Sequence, residues 1–79
     1  MKQVKVLGSG CANCQRTAQL IDSVAAEQGT PIDLVKVEDM GEIMAHGVMS
    51  TPGVMVDGQV MHAGGVPNRR QIGQWLNNG

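Results

Sequence analysis

The 79-residue sequence has no Phe and no Tyr, and Trp75 stands alone among the large aromatic side chains. A core without rings must be filled by Val, Ile, Leu and the six Met, with Met as the adaptable filler. Clusters of Lys and Arg are also missing. With a formal net charge of −1 and no basic stripe, the chain lacks the footprint that binding to a phosphate backbone requires, so nucleic acid is not an expected partner. No apolar run approaches the ~20 residues of a bilayer span. The segment Met1-Lys2-Gln3-Val4-Lys5-Val6-Leu7 runs directly into a strand pattern, without an apolar signal region. The expectation is a cytoplasmic protein with no membrane association.

What is present is a pair of cysteines, Cys11-Ala12-Asn13-Cys14, preceded by Gly8-Ser9-Gly10 and followed by a helix-like apolar pattern. In a reducing compartment such a CxxC pair is more often catalytic or metal-binding than a structural staple. Unpaired N–H groups and the positive end of the helix dipole stabilise an anion at a helix N-terminus. Cys11 there can ionise below the free-thiol value of about 8.5 and act as the nucleophile. Cys14, one turn further in on the same side and more covered, is the expected resolving thiol. No carboxylate between Gly8 and Gln15 opposes thiolate formation, and Arg16 adds positive charge nearby.

The remaining pattern gives an α/β order in one domain, residues 1–79, near the size at which a single apolar core only just offsets chain entropy. Gln3 to Leu7 reads as a strand. A helix from Cys11 to about Gln28 follows, with Cys14, Ala18, Ile21, Val24 and Ala25 on its buried face and Gly29 as its stop. Pro31 opens a second strand with Ile32, Leu34 and Val37 as core candidates. Asp39 caps a short second helix ended by Gly47, with Met40, Ile43 and Met44 as its apolar face. Val54-Met55-Val56, Asp57-Gly58 and Val60-Met61-His62 form a hairpin on a type I′ turn. Gly64-Gly65 breaks the fourth strand. Pro67 suits the first turn of a last helix that buries Ile72, Trp75 and Leu76.

This β-α-β-α-β-β-α order, with CxxC opening the first helix and Thr51-Pro52 just before the hairpin, resembles the thioredoxin and glutaredoxin superfamily, and within it the small glutaredoxin-like redox-active disulfide proteins. The resemblance covers essentially the whole chain. It implies a thioredoxin fold, a four-stranded mixed sheet of order 2-1-3-4 with helices on both faces, and thiol–disulfide oxidoreductase activity needing no metal or organic cofactor. Met49-Ser50-Thr51-Pro52 resembles the family's cis-proline loop, which implies that Pro52 is cis and faces the dithiol. Thr51 then pairs with extended substrate by β-augmentation. The glycine pair of glutaredoxins lies near bound glutathione, so Gly64 and Gly65 become substrate-contact candidates, with a simple bend as their other reading. The implied partners are a disulfide-containing protein substrate and an electron donor, either glutathione or a reductase of the thioredoxin-reductase type. A monomer is expected, although an exposed edge strand or apolar groove leaves association open.

The chain departs from the family in three ways. Ala12-Asn13 replaces the proline-containing pair found in many members, and the aromatic residues that flank many active sites are absent. The buried carboxylate that thioredoxins keep in the first strand is matched by Lys5. Lys36 is the nearest match to the family's buried lysine, and as ordinary strand residues both would be solvated. The rival reading is a Cu(I) carrier, because Gly-x-x-Cys-Ala-Asn-Cys also resembles the loop of heavy-metal-associated domains. Those domains place two strands between their helices, whereas here a capped helix and a Thr-Pro loop precede the hairpin. A zinc site from the two Cys with His46 and His62 fits no compact zinc spacing.

Overall fold

The computed structural model describes residues 1–77, so the last two positions of the expected 1–79 domain lie outside the described residues. Its elements are β1 (Lys2–Leu7), α1 (Ala12–Gln28), β2 (Ile32–Val37), α2 (Met40–Ala45), β3 (Gly53–Val56), β4 (Gln59–Ala63) and α3 (Arg69–Asn77). The strands form one sheet in the order β2-β1-β3-β4. β1 is parallel to β2 and antiparallel to β3, and β3 is antiparallel to β4. This is the mixed sheet, and the thioredoxin fold, that the family resemblance implied.

Successive strand side chains point to opposite faces, and this alternation decides which helix covers which side. Val4, Val6, Val54 and Val56 join Ala18, Ile21, Val24 and Ala25 of α1 and Ile72 and Leu76 of α3 in the larger core cluster. Leu7 and Met55 face the other way and meet Val37, Ile43 and Val48. That second layer is thin because α2 has only six residues, less than two turns. Ile43 is buried, but Met40 and Met44, expected beside it, are 53% and 65% exposed. A helix this short presents one side chain inward, and its other apolar residues face solvent. β2 is an edge strand, so Ile32 and Leu34 are only half-buried while Val37 is covered.

The chain reversals follow from local chemistry. Gly29 adopts φ 67°, and the N–H of Thr30 donates to Ala25 O at 3.0 Å, closing the end of α1. Asp39 Oδ2 accepts from Glu42 N at 3.2 Å and opens α2. Asp57 and Gly58, at φ 50° and 85°, make the two-residue hairpin turn. Asp57 also fastens that turn to β1, donating from its N–H to Gln3 O and accepting from Gln3 N at its own carboxylate. Val54 pairs with His62 and Met55 with Val60, which leaves Met61 as the extra residue of a bulge in β4.

The last helix starts later than Pro67 suggested. Asn68 Oδ1 accepts from Gln71 N at 2.8 Å, while Asn68 N donates to Gln71 Oε1 at 3.1 Å. This reciprocal cap satisfies two donors at once and makes Arg69 the first helical residue, with Pro67 buried just ahead of it. Ile72 and Leu76 are buried as expected, and Trp75 packs half-buried at the margin of the larger cluster. Asn68→Ala should therefore lower the stability by about 1 kcal/mol, and Ile72→Ala by about 2–5 kcal/mol. Met44→Ala should stay within about 0.5 kcal/mol of wild type. Urea denaturation at constant slope measures all three.

Candidate active site

The dithiol sits where β1 hands over to α1. Gly8 N donates to Val37 O at 2.9 Å, which anchors the Gly8-Ser9-Gly10 loop on the neighbouring strand. Gly10 takes φ 78°, a left-handed value that suits glycine. Cys11 is the N-cap of α1: its carbonyl accepts from Gln15 N at 3.0 Å and its Sγ accepts from Cys14 N at 3.2 Å. Gln15 Nε2 donates back to Gly10 O at 3.4 Å. Cys11 and Cys14 are joined in a disulfide, with their Cα atoms 5.1 Å apart. Cys11 is exposed, whereas Cys14 is 5% exposed, so the two sulfurs differ in access as their positions on the helix implied.

The second half of the site comes from the loop before β3. The Thr51–Pro52 peptide is cis, Pro52 is fully buried and Thr51 is exposed. Gly8 is where the halves touch. A Cβ built on Gly8 would overlap Cys14 Sγ and would lie 3.7 Å from the Thr51 Cβ. The Cys14 sulfur therefore rests on bare backbone, with Thr51 beside it. Gly64 N donates to Pro52 O at 3.0 Å, and a Cβ on Gly64 would come within 3.2 Å of the Ser50 Cβ. Gly64 thus locks the loop from behind. Gly65, at φ 72°, is exposed, and its carbonyl lies 3.0 Å from His62 Nε2, an arrangement that needs the ring proton on Nε2.

The other candidates are dispersed. Lys36 is exposed and Lys5 half-buried. His46 forms the C-cap of α2 and His62 lies on β4. Among the described residues no group of three or more His, Cys, Asp or Glu side chains gathers to hold a metal ion, and the order of elements does not favour the Cu(I) carrier. Among the described residues no helix is long and apolar enough to cross a membrane. The motif reading overlooked Thr17, which is fully buried against the active-site turn with its hydroxyl donated to Asn13 O at 2.8 Å. The i, i+4 spacing of Asn13 and Thr17 was the available signal. The contact between Gly8 and Cys14 had none, because it depends on how the loop folds back.

Gly8→Ala tests that contact. The added methyl should cost about 1–3 kcal/mol in the oxidised protein, read as a lower thermal midpoint. The reduced protein should lose less, since an unbonded Cys14 side chain can turn to another rotamer. By linkage the reduction potential should rise, at roughly 30 mV for each 1.4 kcal/mol of difference.

The comparisons with known proteins agree with this geometry. The thioredoxin domain family matches residues 2–77. A thioredoxin of Methanothermobacter thermautotrophicus (strain Delta H) is 31% identical over 72 residues, covering 91% of this chain and 94% of that protein. A thioredoxin of Methanocaldococcus jannaschii is 33% identical over 76 residues, covering 96% of this chain and 87% of that protein. The fold, the cysteine pair at the helix start and these relatives lead to one conclusion: the chain belongs to the thioredoxin family and is a thiol–disulfide oxidoreductase.

Proposed function

We propose that Cys11 is the nucleophile and Cys14 the resolving thiol of a dithiol exchange carried out on disulfide-containing proteins by the whole chain, residues 1–79, acting as one domain. The observation that carries this reading is the asymmetry of the pair. One sulfur is exposed at the cap of a 17-residue helix, and the other is buried against Gly8 one turn later. In the reduced protein the Cys14 N–H and the helix dipole favour the Cys11 thiolate. That thiolate attacks a substrate disulfide and releases one substrate thiol. Cys14 then attacks Cys11 Sγ, the mixed disulfide breaks, and the Cys11–Cys14 bond forms as the second substrate thiol leaves.

Thr51 and Pro52 form one wall of the substrate groove, where Thr51, an exposed residue, offers an edge to an extended peptide. Gly64 and Gly65 form the rim beyond it. Gly64 N is already engaged by Pro52 O and Gly65 O by His62, which favours a shaping role for the pair over glutathione capture. A reductase of the thioredoxin-reductase type is accordingly the preferred electron donor, with glutathione as the alternative, and the reducing cytoplasm is the matching compartment.

The test is a titration in glutathione redox buffer with thiols trapped by alkylation. Wild type should show a reversible two-electron couple between Cys11 and Cys14. Cys14→Ser should accumulate a mixed disulfide at Cys11, detected by mass. Accumulation of adduct at Cys14 in a Cys11→Ser protein, with none in Cys14→Ser, would reverse the assigned roles.

A further inference from the structure

A cavity of about 100 Å³ opens behind the resolving cysteine. α1 supplies Cys14 and Gln15 to its wall, β1 supplies Val6 and Gly8, and the loop supplies Gly10. β2 supplies Lys36, and the residue after the strand is Glu38. A Cβ built on Gly10 would lie 3.3 Å from Glu38 Oε2, so this carboxylate leans onto the active-site loop. The Gly8 N to Val37 O hydrogen bond, one residue before Glu38, ties loop and carboxylate together. The wall is partly apolar, but Gln15, Lys36 and Glu38 give it polar groups, and a cavity of this size has room for a few water molecules, each needing at least roughly 10–15 Å³.

Resolution of the mixed disulfide needs Cys14 as a thiolate, because the thiol itself is a poor nucleophile. With 5% of its surface exposed, Cys14 has little direct access to bulk solvent for losing its proton. The groups that face the cavity decide where that proton goes. Val6 and Gly8 from β1 have no titratable side chain, Gln15 has none, and a Lys36 ammonium carries no lone pair to accept it.

We propose that Glu38 is the proton acceptor for Cys14, acting through water in this cavity. The inference rests on the assignment of Cys14 as the resolving thiol. The Cys14 Sγ–H proton passes to a cavity water as that water gives a proton to the Glu38 carboxylate. The thiolate then attacks Cys11 Sγ, the bond between Cys11 and the substrate sulfur breaks, and that sulfur departs with the electron pair. Lys36, facing the same cavity, offsets negative charge as it appears on Cys14. Glu38 acts through water and does not touch the reacting sulfurs, so it is a positioning residue for the proton.

The test follows a chromogenic aryl disulfide reacting with the reduced protein in stopped flow. The first arylthiolate reports attack by Cys11, and the second reports resolution by Cys14. Glu38→Gln should leave the first phase within about twofold of wild type and slow the second roughly tenfold near neutral pH, below the range for a base in direct contact because water intervenes. Its second phase should become steeper with pH, approaching tenfold per unit as hydroxide takes over. Glu38→Asp, which keeps a carboxylate, should recover much of the lost rate. Identical second phases in wild type and Glu38→Gln would overturn the proposal, as would equal slowing of both phases. The underlying assignment is checked separately by Cys14→Ser, which should release one arylthiolate and hold the other on Cys11. If the label is instead held on Cys14 in Cys11→Ser, the role of Cys14 fails and the proton path fails with it.

Discussion

The active end of this protein depends on one close approach, that of the Cys14 sulfur to the backbone of Gly8. β1 has to stop at a residue without a Cβ, the loop has to return through a left-handed glycine, and α1 has to begin with Cys11 as its cap. Only then does the second sulfur reach the strand end. The same bare spot admits Thr51 from the other half of the chain, so the cysteine pair and the Thr51–Pro52 loop are brought into register by a missing side chain. Any group added there must displace the sulfur or the loop.

The packing around this point is uneven. On one face α1 and α3 bury a continuous layer of Val, Ile, Ala and Leu across the central strands. On the other face a six-residue helix covers little beyond Leu7, Met55 and their neighbours. The site lies at the end of β1, where both clusters have members: Val6 belongs to the thick layer and Leu7 to the thin one. Rigid support for the cysteines comes from the first, while the Thr51–Pro52 loop follows the residues that α2 and Val48 hold in the second. Apolar burial fixes the sulfurs in place, and hydrogen bonds from Gly64 to Pro52 and from Gly8 to Val37 set the angles at which loops meet them.

Most of the architecture was legible because its signals are local. Asp57-Gly58 specifies its turn, Gly29 its helix end and Asp39 its cap, each within four residues, and the spacing of the cysteines placed both on one helix start. Two local signals competed at the last helix. Pro67 pointed to an early start, but the Asn68–Gln71 reciprocal cap satisfies more of the exposed donors and prevailed. The exposure of Met40 and Met44 was not legible, since it depends on how many turns α2 completes. Within the site, Thr51, Pro52 and the glycine pair came from family resemblance alone, because nothing in a Thr-Pro dipeptide reports a neighbour in space. The contact of Gly8 with Cys14 and the lean of Glu38 onto Gly10 arise from tertiary closure, and no short window of sequence contains them.

The scarcity of aromatic rings has an optical consequence. Trp75 is the one strong near-ultraviolet chromophore and emitter in the chain, and its ring centroid lies 5.8 Å from that of His62, tilted by 41°. His62 is itself held to Gly65, just after β4. The intrinsic fluorescence of this protein is therefore a single-site signal from the seam between α3 and the hairpin. That signal therefore reports on the seating of one helix against one imidazole. It gives a spectroscopic view of the Gly64–Gly65 bend with no label attached.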